Sequence, residues 1–312
     1  MILCVTLNSC LDKTLTVPAW KPGDLVRGVE VREVVGGKGN NVARALSRLG
    51  RTARPVTFLG GPVGRHCEEL LRRDDRLDPI VIATETSTRV ILTVLTRSTI
   101  EQTAFFDPDP AITSSEVDAL IHRVEHELAR GGIAALTLSG SSPSSATHGV
   151  YSDLISLARA RRIPAFLDTY GPALEAIWGF WPSVLQLNRA EAAGMLRKPS
   201  VTDADVLQLL ERWHRHGVTC GVVTDGADPV FIQVRERKFR ATPPAIKVEN
   251  PIGSGDSLLA GLVDGWLAGS DSEQLIRHAI GCASANAVVW DAGAIDPETA
   301  RELAEEVVLE PI

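Results

Sequence analysis

Two short stretches of the chain combine glycines with residues able to move a proton or hold an anion. In Asn250-Pro251-Ile252-Gly253-Ser254-Gly255-Asp256-Ser257, Gly253 and Gly255 let a ligand approach the main chain. The N–H groups from Gly253 to Asp256 can converge there on developing negative charge. An apolar stripe follows at Leu258, Leu259, Leu262, Val263, Trp266 and Leu267, so Asp256 is expected in the first turn of a helix. A carboxylate in that place is stabilised by the helix dipole and can take the proton of a hydroxyl nucleophile, which is the base that phosphoryl transfer to an alcohol needs. Taken alone, the same residues also fit a first-turn acid with no chemistry. The second stretch, Gly36-Gly37-Lys38-Gly39-Asn40-Asn41, precedes Val42, Leu46 and Leu49 at helical spacing, with Gly50 as a stop. It is not a Walker A loop, because Arg32 stands where that motif needs glycine and Gly39 follows Lys38. It suits a polyhydroxylated ligand, with Asn41 toward hydroxyls and Lys38 toward an anion. Each stretch opens a helix, and helix N-termini hold phosphates through their free N–H groups.

These turns need a rigid frame, and the rest of the chain supplies the pattern of one. The β-rich runs Ile2 to Leu7, Ala53 to Phe58, Ile133 to Leu138, Ala165 to Leu167, Val184 to Leu187 and Thr219 to Val223 alternate with stretches of helical spacing. That is the signature of βα units on a largely parallel sheet. Two segments, about 14–35 and 88–106, break the rhythm. In the second, Val90, Leu92, Val94 and Thr96 alternate with Ile91, Thr93, Leu95 and Arg97. Apolar residues on both faces predict strands outside the main sheet, one face over a cleft and the other against a further surface. A small β lid, shared between subunits, meets that description. With no repeat and no linker composition, residues 1–312 read as a single domain carrying this lid.

Composition narrows the partners. Apolar residues make up 44% and charged residues 23% of the 312, which fits a folded globular protein. The net charge of −7, with basic residues interleaved among acids, argues against nucleic acid as a partner. The apolar run from Met1 to Leu7 is broken by Asn8, Asp12 and Lys13, so it reads as a first strand rather than a signal or membrane span, and a cytoplasmic location is expected. The five cysteines are scattered without a C-x-x-C pair, as reduced thiols are. His122-Arg123-Val124-Glu125-His126 fits the H-x-x-E-H pattern of a zinc peptidase. The acids around it make a solvated helix face the better reading.

Both glycine-rich stretches match known signatures. Val35 to Gly50 resembles the first signature of the ribokinase-like PfkB carbohydrate kinases, and Pro251 to Gly261 the second, in the same order. Val5-Thr6-Leu7-Asn8 leading to Asp12, Thr88-Arg89-Val90, Asp107-Pro108-Asp109-Pro110 and Ser139-Gly140-Ser141 are similar to the branch that contains 1-phosphofructokinase and tagatose-6-phosphate kinase. The resemblance implies an α/β, ribokinase-like fold with a largely parallel central sheet, flanking helices and a β-sheet lid, often dimeric through the lid. It implies ATP as donor with Mg²⁺, Asp256 as catalytic base, and Gly253, Ser254 and Gly255 as an anion hole. By position, Asp12, Gly37 and Asn41 would hold sugar hydroxyls, while Lys38, Arg89 and Ser139 would face the acceptor's phosphate. Asn188 and Glu191 would order Mg²⁺ through water. Gln186, Asn188, Thr224, Gly226, Gly253 and Gly255 would lie at the nucleotide phosphates, and Ala283 to Asn286 near the base. The implied acceptor is fructose 1-phosphate, fructose 6-phosphate or tagatose 6-phosphate. Four residues depart from the family pattern: Ser9 replaces a proline, Gln186-Leu187 a Lys-Pro pair, and Pro229 a glycine. The lost lysine removes a cation from the nucleotide side, with Arg189 and Lys198 as candidate replacements. A non-catalytic sugar-phosphate sensor is the alternative these departures raise, and retention of Asp256 speaks for chemistry.

Overall fold

The expected β runs form the backbone of a large sheet. In a computed structural model that describes residues 1–99 and 101–312, the strands in chain order are β1 (Ile2–Thr6), β2 (Cys10–Val17), β3 (Glu30–Gly36), β4 (Ala53–Gly60), β5 (Ile80–Thr84), β6 (Arg89–Thr96) and β7 (Gln102–Phe106). They continue with β8 (Ala135–Ser139), β9 (Ala165–Asp168), β10 (Val184–Asn188), β11 (Cys220–Asp225), β12 (Asp228–Val234), β13 (Arg237–Thr242) and β14 (Val308–Pro311). The helices are α1 (Lys38–Arg48), α2 (Gly61–Arg73), α3 (Ser114–Arg130), α4 (Val150–Ala160), α5 (Pro172–Glu175), α6 (Arg189–Leu196), α7 (Asp203–Arg215), α8 (Ser254–Ala268), α9 (Ser272–Ala287) and α10 (Pro297–Glu305). Ile100, inside the second expected lid segment, lies outside the described residues.

The main sheet has ten strands in the order β14-β13-β12-β11-β10-β9-β8-β1-β4-β5, parallel from β11 to β5. β12, β13 and β14 extend one edge as antiparallel strands. This extension was not anticipated from the sequence, although Val230, Ile232 and Val234 alternate as a strand should. Apart from the edge strand β5, the parallel strands are buried on both faces, as βα crossovers require. Ile2 and Cys4 of β1 join one core with Val42, Leu46, Leu259 and Ile276, whereas Leu3, Val5 and Leu7 join the other with Leu120, Leu154 and Trp213.

Chain order reverses at β1, whose neighbours are β4 on one side and β8 on the other. In open parallel sheets the crevice beyond the carboxyl ends of strands at such a reversal is where ligands bind. Register sharpens this: Thr6 pairs with Ser139, Ser139 with Asp168, and Asp168 with Gln186. Partners in register share a face, so these four polar side chains form a row under the N-termini of α1 and α8.

A separate four-stranded sheet, in the order β3-β2-β6-β7, is built from the two segments that broke the βα rhythm. Asp12, Val34, Ile91 and Phe106 are mutual partners in register and line one large cleft. Leu15, Val31, Leu92 and Phe105 fall on the opposite face. On α3, Val124 and Leu128 turn into the core while His122 and His126 are exposed; His122 Nδ1 lies 2.7 Å from the Asp118 carbonyl. No described helix is long and apolar enough to cross a membrane.

Leu46 is wholly buried between α1, the sheet and α8. Leu46→Ala is expected to lower the unfolding free energy by about 2–5 kcal/mol, read from urea denaturation. A loss under about 1 kcal/mol would show that α1 is not held by this contact.

Candidate active site

The two glycine turns meet. Gly37 (φ 105°) and Gly253 (φ 87°) adopt backbone conformations that a side chain would strain, and each is the residue immediately before a helix. α1 and α8 then point their N-termini into a cleft of about 760 Å³. Across it Asn41 Nδ2 donates to Asp256 Oδ2 at 2.8 Å, joining positions 215 residues apart.

Asn41 is itself held. Arg44, one turn further along α1, places all five of its N–H donors. Nη1 donates to Asn41 Oδ1 (3.0 Å) and to the Ala292 carbonyl (2.7 Å). Nη2 donates to the Val35 carbonyl (2.9 Å) and to Asp75 Oδ2 (2.7 Å), and Nε to Asp75 Oδ1 (2.6 Å). A guanidinium saturated in this way has one orientation, and so does the amide it grips.

Lys38 supplies the local positive charge. Its Nζ lies 2.9 Å from Asp168 Oδ1 and 3.5 Å from Glu191 Oε1. Burial works against the ammonium, but the carboxylates of Asp168, Glu191 and Asp256 outweigh it and hold the Lys38 pKa above its usual value. Asp256 is 5% exposed. Burial pushes its pKa up to about 7, against the opposing pull of Lys38 and the Asn41 hydrogen bond, while Asp168 adds to the rise. A carboxyl titrating near neutrality, at a helix N-terminus and in a cleft, can accept a proton from a hydroxyl.

Asp12, on β2, also lines the cleft, and burial raises its pKa above the ordinary carboxyl value. Asn8, Arg89 and Ser141 line the same end of the cleft. Asn8 Nδ2 donates to Ser141 Oγ at 3.0 Å and to Asp109 Oδ1 at 2.9 Å, and Arg89 Nη1 donates to the same Asp109 oxygen at 2.9 Å. Toward the other end lie Asn188, Thr224, Gly226, Ala283 and Ser284. Asn188 and Glu191 form a reciprocal helix cap on α6: Glu191 N–H donates to Asn188 Oδ1, and Asn188 N–H to Glu191 Oε2, both at 2.8 Å. Glu191 Oε1 is left over from the cap and turns toward Lys38. No cluster of three His, Cys, Asp or Glu side chains able to hold a metal occurs among the described residues. A Mg²⁺ arriving with a nucleotide and keeping most of its waters is the kind of ion these donors fit.

Of the residues expected at the site, Asp12, Gly37, Lys38, Asn41, Arg89, Asn188, Thr224, Gly226, Gly253, Ser254, Gly255 and Asp256 line the cleft. Glu191 touches it through Lys38. Ser139, Gln186 and Asn286 stand behind the wall. Gln186 Nε2 donates to the Gly255 carbonyl at 2.8 Å. Asn286 ties the loop before α8 to the loop after α9: its Nδ2 donates to the Ile252 carbonyl (2.8 Å) and its Oδ1 accepts from Gly293 N–H (2.7 Å). Arg189 and Lys198 are engaged elsewhere, with Asp203 and Asp225 and with Asp205. Sequence reasoning passed over Asp168 and gave no role of their own to Arg44 and Asp109, which lie within quoted motifs. Asp168 had a readable signal, since it directly follows the β run Ala165 to Leu167 at the carboxyl end of a parallel strand.

Comparison with known proteins agrees with this geometry. A family model described as pfkB family carbohydrate kinase matches residues 2–301. A possible 1-phosphofructokinase from Thermotoga maritima superposes with a TM-score of 0.89 at 24% identity, covering 100% of this chain and 99% of the other. Phosphofructokinase-2 from Escherichia coli, in complex with fructose 6-phosphate, gives a TM-score of 0.86 at 24% identity over 97% of this chain and 98% of the other. At these identities the structures speak for the fold, and the family match speaks for the class. A match over nearly the whole length, with both glycine signatures converging on one buried aspartate, means that this chain belongs to the pfkB family of carbohydrate kinases.

Proposed function

We propose that this carbohydrate kinase transfers the γ-phosphoryl group of ATP to a hydroxyl of a ketohexose phosphate, with fructose 1-phosphate, fructose 6-phosphate and tagatose 6-phosphate as the acceptors to test. The observation that carries the reading is the buried Asp256 carboxyl, held by Asn41 beside Lys38 and facing the cleft. Asp256 takes the hydroxyl proton as the new O–P bond forms and ADP departs. The N–H groups of Gly253 to Asp256 and the Lys38 ammonium face the charge on the phosphoryl group in flight. Mg²⁺, when bound with the nucleotide, neutralises phosphate charge, and Glu191 Oε1 with Asn188 supplies oxygens for its water shell. Asp12 and Asn41 line the cleft, and their side chains suit accepting from and donating to sugar hydroxyls. Arg89, Asn8 and Ser141 form the end of the cleft suited to the acceptor's own phosphate; a sugar phosphate as acceptor is supported by a structural neighbour solved with fructose 6-phosphate. Ala283 and Ser284 mark the side proposed for the nucleobase.

The four-stranded sheet acts in this reading as a lid, and its outer face as a homodimer contact. Val31 and Phe105 are exposed there, which is the kind of apolar surface a partner covers. One neighbour was solved as a tetramer. All five cysteines are unpaired, which supports a reducing, cytoplasmic setting.

Asp256→Asn keeps the shape but cannot take a proton, so kcat is expected to fall by about 10²–10⁴-fold with an unchanged melting temperature. Because the base works only when ionised, kcat/KM of the wild type should fall as pH drops through about 7. A flat profile between pH 5 and 8, or near-normal turnover of the variant, removes Asp256 from this role. Arg44→Lys cannot satisfy five acceptors, and the slackened Asn41 should lower kcat by about 10–100-fold while KM for ATP stays within a factor of about two. A folded Arg44→Lys enzyme with full kcat would show that Asn41 needs no such support. Val31→Glu combined with Phe105→Glu should leave a monomer in sedimentation velocity where the wild type is dimeric; a monomeric wild type at micromolar concentration rejects the lid contact.

A further inference from the structure

Arg89 lies where an acceptor phosphate would sit, yet it already has an anion. Asp109, from the Asp107-Pro108-Asp109-Pro110 loop between β7 and α3, accepts from Arg89 Nη1 and Asn8 Nδ2 through a single oxygen. The Asp109 side chain is 45% exposed, against 14% for Arg89. The pairing leaves donors and acceptors unused: Arg89 Nε, Asn8 Oδ1 and Ser142 Oγ are buried with no partner among the described residues. A carboxylate oxygen in a one-point contact does not use the fork that a guanidinium offers, whereas a phosphate can engage it twice.

We propose that Asp109 is a built-in anion that occupies the phosphate end of the acceptor site and competes with the substrate's phosphate for Arg89 and Asn8. The inference rests on the sugar-phosphate reading above. When a dianionic phosphate enters, it takes Arg89 and Asn8, and Asp109, on an exposed loop, turns to solvent. Its displacement and its negative charge both weaken phosphate binding, so the residue sets the threshold at which sugar phosphates are captured and selects against weaker anions such as inorganic phosphate. While it is in place Asp109 also neutralises a cation that would otherwise stand partly desolvated at the cleft wall.

The test is Asp109→Asn, which preserves shape and removes charge, alongside Asp109→Ala, which removes the contact. Both should lower KM for the sugar-phosphate acceptor by about three- to tenfold and lower the inhibition constant of inorganic phosphate, competing with the acceptor, by a similar factor. High salt should narrow the difference from wild type, since the contact is half exposed. KM for ATP should not move, and neither should KM for a non-phosphorylated sugar used as a poor acceptor. Unchanged or raised sugar-phosphate KM in both variants overturns the proposal, as does a fall of equal size for phosphorylated and free sugars. Wild-type enzyme that phosphorylates free sugars but none of the three ketohexose phosphates defeats the acceptor reading before any variant is made. A wild-type sugar-phosphate kinase with an insensitive Asp109→Asn variant defeats only the role given to Asp109.

Discussion

A carboxylate that is to act as a base must be ionised, and burial opposes ionisation. Asp256, the base proposed above, sits under that constraint, with its pKa driven toward neutrality by desolvation. What keeps it from staying protonated is a small set of contacts: the Asn41 amide, the Lys38 charge and the N-terminal end of α8. Each of these would drift without support. Asn41 is fixed by Arg44 and Arg44 by Asp75, while Lys38 is fixed by Asp168 and Glu191. The ion pairs lie deep enough that removing one member would strand its partner charge, so the cluster stands or falls as a unit.

The small sheet is wired into the same residues. β2 starts two residues after Asn8, and β3 runs directly into Gly37 and α1. β6 begins at Arg89, next to Thr88, which exchanges hydrogen bonds with Gly60 at 2.9 Å in both directions. Arg32 of β3 pairs with Asp291 across the cleft mouth, and Glu33 reaches His66 of α2 at 3.0 Å and Lys13 of β2 at 2.9 Å. A shift of this sheet therefore re-aims Asp12, Lys38 and Arg89 together. In the lid reading proposed above, substrate enclosure and the geometry of these charges would be coupled through the backbone.

Much of this was legible in the chain. Parallel strands buried on both faces leave short, dense β-branched and aliphatic runs, and the observed β1, β4, β8, β9, β10 and β11 overlap the six runs read from sequence. The glycine turns were readable because backbone approach to a ligand restricts residue type as well as pattern. Arg44 was hidden for the opposite reason. It lies within a helical stretch whose periodicity counts it as surface, and only the fold brings Asp75, Val35 and Ala292 around it. Asp109 was quoted as part of a motif, but nothing in spacing says that its carboxylate lands on Arg89. The β13 and β14 edge was missed because those strands carry weak, half-exposed alternation, whereas the buried run Val230 to Val234 of β12 was readable and was passed over.

Gln186 illustrates how a departure from a family pattern changes meaning once the register is known. From sequence, glutamine in place of lysine looks like a missing charge on the nucleotide side. In the sheet, Gln186 pairs with Asp168, and Asp168 already holds the Lys38 ammonium at 2.9 Å. A second ammonium beside the first would face repulsion of about 3–4 kcal/mol for charges 4–5 Å apart at an effective dielectric near 20. The neutral amide avoids that penalty and still gives the Gly255 carbonyl a donor. Among the described residues, the cations lining the cleft are Arg32, Lys38 and Arg89. Arg32 is tied to Asp291 at the mouth and Arg89 to Asp109 at the acceptor end. Lys38 is instead paired with Asp168 and Glu191, beside Asp256. In the reading proposed above, one ammonium reaching in from α1 takes the ground that a strand-borne lysine would otherwise share, while Arg189 and Lys198 are held by Asp203, Asp225 and Asp205.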